Sequence, residues 1–397
     1  GFLMSYRALA CLTLTLLAMS SAVSAHSAHS HNTNAACEDR IAPACGRAPT
    51  PAFDHDGKLW WVWYQQDHIR VQRQGGQPRI VNPEPEAVDD QGEDRPQIAF
   101  GPDNQIYLLW TQKPDKPWTG HIRFSRSLDG GNSFSEPVTI NDDRRTIAHR
   151  FPAMVVNDNG ELFLVWVDKR DQQNAKDAGQ DYVGAALYYT HSTDHGASFA
   201  RNQRLAAHSC ECCRLAMSID EQGLPVILYR QVFTGGIRDH ALIRFQDATT
   251  PQPVERASDD QWQLNGCPHH GPALAMDGDR RHQLWFTAGK KRQGLFYQRS
   301  DGAPIKLGGP AAAHGQVAVL GDIVALVWKD LDEANRSVIR LKLSRDGGAH
   351  WADVRTLLHT RNGSDHPLLI SNGEQIFLAW RTDDEGNQLV AISGEHQ

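Results

Sequence analysis

An unusual group of cysteines lies in segment 208–214, which reads His-Ser-Cys-Glu-Cys-Cys-Arg. Another cysteine opens segment 267–271, which reads Cys-Pro-His-His-Gly. Thiolate and imidazole groups together suit copper and zinc, because both metals accept sulfur and nitrogen ligands. The two segments therefore predict a transition-metal site, with copper favoured and zinc as the alternative metal.

A repeated hairpin pattern indicates how such distant segments can meet. From about Pro49 onward, a short apolar strand turns through Gly, Asp or Asn into a second apolar strand that ends in an aromatic residue. A third, alternating strand follows, and usually a fourth. The closing aromatics are Trp63, Trp110, Trp166, Tyr229, Phe286, Trp328 and Trp380.

This pattern predicts an all-β fold, a β-propeller built from four-stranded antiparallel blades. Seven blades are favoured because the hairpin recurs once for each closing aromatic, and six blades are the alternative. The last repeat lacks an outer strand. We expect the N-terminal arm to supply that strand and to close the ring, which would leave no open sheet edge.

Turns with a shared signature separate the third and fourth strands of several repeats. Segments 127–134, 192–199 and 344–351 all fit Ser-x-Asp-x-Gly-x-x-Trp/Phe. The Asp side chain can accept backbone N–H bonds across such a turn, and Gly permits a positive φ. These segments resemble the Asp-box (BNR) repeats of the sialidase-like β-propeller superfamily. The resemblance covers most of the chain at the level of fold, and it implies that the boxes stabilise turns.

In a propeller, the residues just before each innermost strand converge on one face, the mouth of the central channel. Repeats four to seven bring a set of soft ligands to that face. The predicted metal ligands are Cys210, Cys212, Cys213, Cys267, His269, His270, His314 and His366. The alternative is that all four cysteines form structural disulfides, for example Cys210 with Cys267, and that the histidines line a wet channel.

Arginines occupy the same face in repeats two to four, namely Arg95, Arg150 and Arg214. Guanidinium groups at a cavity mouth suit a carboxylate or another anion. Segment 149–152, His-Arg-Phe-Pro, is similar to the Arg-Ile-Pro motif of sialidases, and this resemblance implies that Arg150 holds a carboxylate. Alternatively, the arginines pair with neighbouring carboxylates, such as Asp94 beside Arg95.

The first residues are typical of an export signal, with Arg7, an apolar run and the cleavage pattern Val23-Ser24-Ala25. We therefore expect a signal peptide at 1–25 and a periplasmic or secreted protein with no membrane span. A histidine-rich arm at 26–48 with a Cys37–Cys45 disulfide would follow, and then the propeller at 49–397. The net charge of −7 gives no electrostatic basis for binding nucleic acid.

These patterns favour an exported propeller that binds copper for metal handling or for redox chemistry. One alternative is a non-catalytic scaffold that binds another exported protein. Another is a sialidase-like glycoside hydrolase in which Arg150 binds a small anionic ligand. The sequence does not decide whether the chain is an enzyme.

Overall fold

The computed structural model describes residues 37–300 and 302–392. The expected signal peptide and the histidines at 26–31 lie outside the described residues. The described part is built from antiparallel β-strands, with one short α-helix, α1 (Arg170–Asp177), and a 3-10 turn at Pro43–Cys45. No helix in this part is long and apolar enough to cross a membrane. The predicted all-β class is confirmed.

The strands pair with their neighbours in chain order, so that each group is an antiparallel meander. The first group is β1 (Arg47–Phe53), β2 (Leu59–Gln65), β3 (His68–Arg73) and β4 (Arg79–Ile80). The second is β5 (Gln97–Phe100), β6 (Ile106–Gln112), β7 (His121–Ser127) and β8 (Val138–Thr139). The third is β9 (His149–Val156), β10 (Leu162–Asp168), β11 (Ala185–Ser192) and β12 (Gln203–Ser209).

Four further groups follow, the last of them with three strands. The fourth is β13 (Ala216–Ile219), β14 (Pro225–Phe233), β15 (Ile237–Ile243) and β18 (Glu255–Arg256), interrupted by the small hairpin β16 (Phe245–Asp247) and β17 (Thr250–Pro251). The fifth is β19 (Ala273–Asp277), β20 (Arg280–Ala288), β21 (Gln293–Arg299) and β22 (Ile305–Leu307). The sixth is β23 (Ala313–Leu320), β24 (Ile323–Leu331), β25 (Ser337–Ser344) and β26 (Arg355–Thr360), and the last is β27 (Leu368–Ser371), β28 (Ile376–Thr382) and β29 (Gly386–Ala391).

The first strand of each group contacts the first strand of the next group. These contacts run from β1 through β5, β9, β13, β19 and β23 to β27, and β27 in turn contacts β1. A single pairing of Ser209 with Gln231 also joins the third and fourth groups into one sheet. The residues that precede these first strands are therefore brought toward one another.

The predicted closing aromatics lie in the second strand of each group, and all but one are buried. The exception is Phe286, which is partly buried, while its neighbour Trp285 is only 1% exposed. Successive side chains of a strand point to opposite faces, so only one of the two can enter the core. Trp285 donates its indole N–H to Asp260 at 2.8 Å, which satisfies the polar atom of the buried ring.

The Asp-box turns have the hydrogen bonds that their signature predicts. In the second box, the Ser192 hydroxyl donates to Asp194 at 2.7 Å and accepts the N–H of Gly196 at 2.9 Å. Asp194 also accepts the backbone N–H of Ser198 at 2.9 Å. The same bonds recur in the boxes that contain Asp129 and Asp346. The boxes therefore stabilise turns, as the resemblance implied.

The N-terminal arm does not supply a fourth strand to the last group within the described residues. A disulfide joins Cys37 and Cys45, as their spacing predicts. This crosslink folds residues 37–45 into a compact segment whose 3-10 turn contacts β29 and β2. The chain then enters β1, which pairs with β2 in the first group. Among the described residues, β29 is therefore contacted by a turn and not extended by a further strand.

Candidate functional site

Glu93 lies where the residues that precede the first strands converge, at the predicted mouth, although it is not among the residues selected from the sequence. It belongs to the acidic segment 89–95, just before β5, and its side chain is only 6% exposed. Its Oε2 accepts the N–H of Gly271 at 3.1 Å and lies 3.5 Å from Nε of Arg214. Its Oε1 lies 3.6 Å from Nδ1 of His314 and 3.5 Å from Nδ1 of His366. One carboxylate thus contacts residues from the fourth to the seventh groups.

The two histidines are held by local backbone geometry and by each other. His314 has a positive φ of 55° at a register irregularity in β23, between Ala313 and Gln316. Such β-bulges redirect a side chain, and a non-glycine residue in this region is strained. The ring of His314 stacks on the ring of His366 with centroids 3.6 Å apart. Both Nδ1 atoms consequently face Oε1 of Glu93.

Oε1 of Glu93 and the two Nδ1 atoms are buried and make no hydrogen bond within the described residues. Their separations of 3.5 and 3.6 Å exceed the 2.7–2.9 Å that is usual for a charge-assisted hydrogen bond. One ligand atom from each of the three residues nevertheless lies within 4.8 Å of the other two. Buried polar atoms normally have partners, and three that converge in this way form a potential ligand set for a cation. We call Glu93, His314 and His366 the Glu-His-His triad.

The charge states of the triad suit metal ligation. Burial opposes ionisation of Glu93, but the Arg214 guanidinium and the imidazoles of His314 and His366 outweigh it and lower the Glu93 pKa to about 2. Burial lowers the pKa of His366 to about 3. At neutral pH the triad therefore offers a carboxylate and a neutral imidazole, the forms in which these groups bind metals.

His270 and His269 extend the same face. Burial lowers the pKa of His270 to about 4, and its ring stacks on Phe286 with centroids 3.9 Å apart. The ring of His270 also lies beside that of His314, at a centroid distance of 5.3 Å. His269 is exposed and lies near the sulfurs of Cys212 and Cys267. His270 thus adjoins the triad, whereas His269 does not belong to it.

A disulfide joins Cys212 and Cys267, so the suggested pairing of Cys210 with Cys267 is wrong. This bond also corrects the predicted ligand set, because a sulfur in a disulfide is not a thiolate and Cys212 and Cys267 cannot serve as thiolate ligands. Cys210 and Cys213 are free and buried, with sulfurs 3.0 Å apart. The Cys210 sulfur lies 4.0 Å from that of Cys212.

Each of the three predicted anion-binding arginines contacts a carboxylate of the protein itself. Arg95 pairs with Asp365 at 2.8 Å, and Arg150 pairs with Asp89 at 2.9 Å. Arg214 donates to the carbonyl oxygens of Gly271 and Pro272, both at 3.1 Å, besides its contact with Glu93.

These arginines therefore pair with carboxylates of the protein itself, as the alternative predicted. Their partners, however, are not the residues next to them in the sequence. Asp94 lies 3.7 Å from Arg150, and Arg95 pairs with Asp365. Burial and the neighbouring Asp89 raise the pKa of Asp94. The acidic segment 89–95 is the sequence feature that could have identified Asp89, Glu93 and Asp94. It directly precedes Pro96, at the position from which each repeat is predicted to contribute residues to the mouth.

A cavity of about 220 Å³ lies among the first strands, lined by residues of several groups. Gln97, Met154, Met217, Leu274 and Gln316 contribute to its wall. Arg214, which contacts Glu93, also lines it. The arginine is thus shared by the cavity and the triad.

No protein-family model matches the chain, and no curated protein sequence matches it. Among solved structures, an ulvan lyase of polysaccharide lyase family PL25 has a TM-score of 0.56 at 13% identity, over 87% of this chain and 94% of that chain. An α-L-arabinanase of Penicillium chrysogenum has a TM-score of 0.46 at 14% identity, over 76% of this chain and 94% of that one. A leech intramolecular trans-sialidase has a TM-score of 0.47 at 10% identity, over 85% and 83%. At such identities the likeness concerns the fold alone, and the likeness to the ulvan lyase supports a β-propeller fold.

Proposed function

We propose that this protein binds a divalent transition-metal ion through the Glu-His-His triad. The observation that carries the proposal is the convergence of three buried ligand atoms, each without a hydrogen-bond partner in the described residues, on one point. A metal ion there would satisfy all three atoms at once. Two imidazoles and one carboxylate also leave coordination positions open, as in catalytic metal sites.

Copper is the favoured metal and zinc is the alternative. Nitrogen and oxygen ligands bind Cu²⁺ more tightly than the other first-row divalent ions, and imidazole suits both copper and zinc. Open positions would allow either metal handling or copper-dependent redox chemistry. Arg214 would balance the charge of Glu93 from the side of the cavity.

The proposal includes a closed ring of seven blades, which places the triad at one mouth of the central channel. The contacts between consecutive first strands, together with the contact of β27 with β1, support closure.

Export to the periplasm or the medium is also part of the proposal. Its support is the two disulfides, which are typical of oxidising compartments.

Competitive titration with Cu²⁺ and Zn²⁺ tests the proposal. We expect one high-affinity ion per chain in the wild type and its loss in Glu93→Gln, His314→Ala and His366→Ala. The loss should exceed the roughly 10- to 100-fold that removal of an outer-shell partner costs. His350→Ala is the matched control, because His350 is 90% exposed in an Asp-box turn. Undiminished high-affinity binding in all three triad variants would refute the proposal, even if histidines elsewhere in the chain bind additional ions.

A second candidate function is action on an acidic glycan, favoured by the likeness to the PL25 ulvan lyase solved with bound -[GlcA(1-4)Rha3S]-. An open metal position beside Arg214 could receive a sugar carboxylate. Incubation with uronate polysaccharides and sialosides, followed by detection of unsaturated or reducing ends, tests this function. Turnover that is lost in His366→Ala would support it, and no turnover on any of these glycans would count against it. Arg150 is engaged by Asp89 and is not expected to bind the substrate.

A further inference from the structure

Four sulfur atoms form a continuous series beside the triad. Cys210 and Cys213 provide two free thiols whose sulfurs are 3.0 Å apart. The Cys210 sulfur lies 4.0 Å from Cys212, which is bonded to Cys267. Cys210 and Cys213 are 2% and 3% exposed, whereas Cys267 is exposed. The series thus runs from a buried dithiol to the protein surface.

The surroundings of Cys210 favour its thiolate. Nη1 of Arg238 lies 3.4 Å from the Cys210 sulfur and 3.2 Å from Oε2 of Glu211. The guanidinium of Arg230 is 2% exposed, and its hydrogen bonds within the described residues go to carbonyl oxygens. A cation without a carboxylate partner beside a thiol stabilises the ionised sulfur.

The two free thiols differ in acidity. The hydrogen bond from Cys213 lowers the pKa of Cys210 despite burial, and the charges of Arg230 and Arg238 act in the same direction. Burial raises the pKa of Cys213. The Cys210 sulfur lies 4.0 Å from Cys212 and 3.0 Å from Cys213, so Cys210 is placed to attack the disulfide and Cys213 to resolve the product.

We propose that Cys210 and Cys213 are a redox-active dithiol that exchanges electrons with the Cys212–Cys267 disulfide, so that the four cysteines form a relay from the interior to the surface. The relay shares no residue with the Glu-His-His triad, and its test needs no metal ion bound there. Its external partner is a low-molecular-weight thiol or disulfide that meets Cys267.

The exchange needs no reagent besides the four cysteines. The Cys210 thiolate attacks the sulfur of Cys212, a Cys210–Cys212 bond forms, and Cys267 leaves with the electron pair as a thiolate. Cys213 then loses its proton and attacks the sulfur of Cys210. The Cys210–Cys212 bond breaks, and Cys212 leaves as a thiolate that takes up a proton. The net result is a Cys210–Cys213 disulfide and two thiols at Cys212 and Cys267, a two-electron transfer between the pairs.

Labelling of the exposed thiol tests this relay. The protein is brought to the form with free Cys210 and Cys213 in a dithiothreitol redox buffer, then freed of the reductant and treated with polyethylene-glycol maleimide under native conditions. Peptide mapping by mass spectrometry locates the label and the disulfides. We expect label at Cys267 together with a Cys210–Cys213 disulfide.

Cys210→Ser should abolish the label at Cys267, because the attacking thiolate is absent. Cys213→Ser is the matched control: Cys267 should still be labelled, and a Cys210–Cys212 disulfide should accumulate. The proposal would be overturned if the Cys212–Cys267 bond of the wild type stayed intact after treatment with the maleimide. It would also be overturned if Cys267 were labelled equally in Cys210→Ser.

Arg238→Met provides a second test that does not depend on how the serine variants fold. Loss of the cation should shift the pH profile of Cys267 labelling to higher pH, because the Cys210 thiolate loses a stabilising contact. An unchanged profile in folded Arg238→Met would contradict a nucleophilic role for Cys210. A thermal unfolding curve of each variant shows whether it is folded.

Discussion

The stacked rings of His314 and His366, with centroids 3.6 Å apart, both present Nδ1 to the same carboxylate oxygen. Two imidazoles in this arrangement cannot both be protonated without strong repulsion, and burial keeps His366 neutral at physiological pH. Under the proposal, the pair accepts a cation together with Glu93.

Metal binding should stabilise the folded protein through the triad. A ligand that binds only the folded state stabilises it by about 2.7 kcal/mol when its concentration is 100 times the Kd. We expect Cu²⁺ or Zn²⁺ to raise the thermal unfolding midpoint of the wild type in differential scanning calorimetry. The increase should be smaller in His366→Ala and unchanged in His350→Ala. An equal increase in all three proteins would place the stabilising site elsewhere.

Gly271→Ala should disrupt the contacts of Arg214 and Glu93, because the added methyl group would collide with both side chains. A Cβ at Gly271 would lie 2.0 Å from Cγ of Arg214 and 2.8 Å from Oε2 of Glu93. Overpacking of this kind costs about 1–3 kcal/mol. We expect that loss in urea unfolding, together with weaker metal binding, because Glu93 must move.

Gly309→Ala is the control for this substitution, since among the described residues other than its chain neighbours no heavy atom lies within 4 Å of the position that a Cβ would take there. Its free energy of unfolding should stay within about 0.5 kcal/mol of the wild type. Metal affinity unchanged in Gly271→Ala would show that the position of Glu93 is not critical.

Arg95→Met should destabilise the contact between the second and last groups. Arg95 pairs with Asp365 at 2.8 Å, and the two side chains are 8% and 17% exposed. Removal of one partner from a buried pair costs about 3–5 kcal/mol, and we expect the lower end because Asp365 retains some exposure. Arg145→Met removes a more exposed ion pair with Asp143 and should cost less than about 1 kcal/mol. Urea unfolding of both variants checks this difference, and equal costs would contradict a structural role for Arg95.

The Asp boxes should contribute to the acid sensitivity of the fold. Hydrogen bonds from Ser133 and Ser198 lower the pKa of Asp129 and Asp194, respectively, to about 2. A carboxyl group whose pKa is lower in the folded state stabilises that state above its unfolded pKa of about 3.9, and the contribution is lost as the pH falls toward 2. Replacement of both aspartates by asparagine should therefore flatten the decline of the unfolding midpoint between about pH 4 and pH 2.

Asp158→Asn serves as the control, because Asp158 is an exposed residue of a hairpin turn outside the boxes. Its acid profile should match that of the wild type. A double box variant with an undiminished acid decline would show that the boxes do not carry this pH dependence.

The strands could be predicted from the sequence because each repeat contains the same order of apolar strands and polar turns. The recurring pair of apolar strands that ends in an aromatic residue identified the hairpins, and the Asp-box turns marked where several outer strands begin. In the fifth group the aromatic residue that faces the core is Trp285 and not its neighbour Phe286, because a strand pattern alone does not show which of two adjacent aromatics points inward.

The site was harder to predict, because its central residue, Glu93, contacts residues that are far away in the sequence. Glu93 contacts Gly271 and His366, which the chain brings to it only through the arrangement of the first strands. The spacing of the cysteines likewise left their pairing open. Cys212 and not Cys210 bonds to Cys267, a choice that depends on side-chain direction within a short irregular segment.

The most direct measurement is an anomalous difference map from crystals soaked in Cu²⁺ or Zn²⁺, recorded at the absorption edge of each metal. We predict one peak between Oε1 of Glu93 and the Nδ1 atoms of His314 and His366, about 2.0–2.2 Å from each atom. The peak should be absent from crystals of His366→Ala. A map with no peak at the triad, or with metal bound only by other residues, would contradict the account.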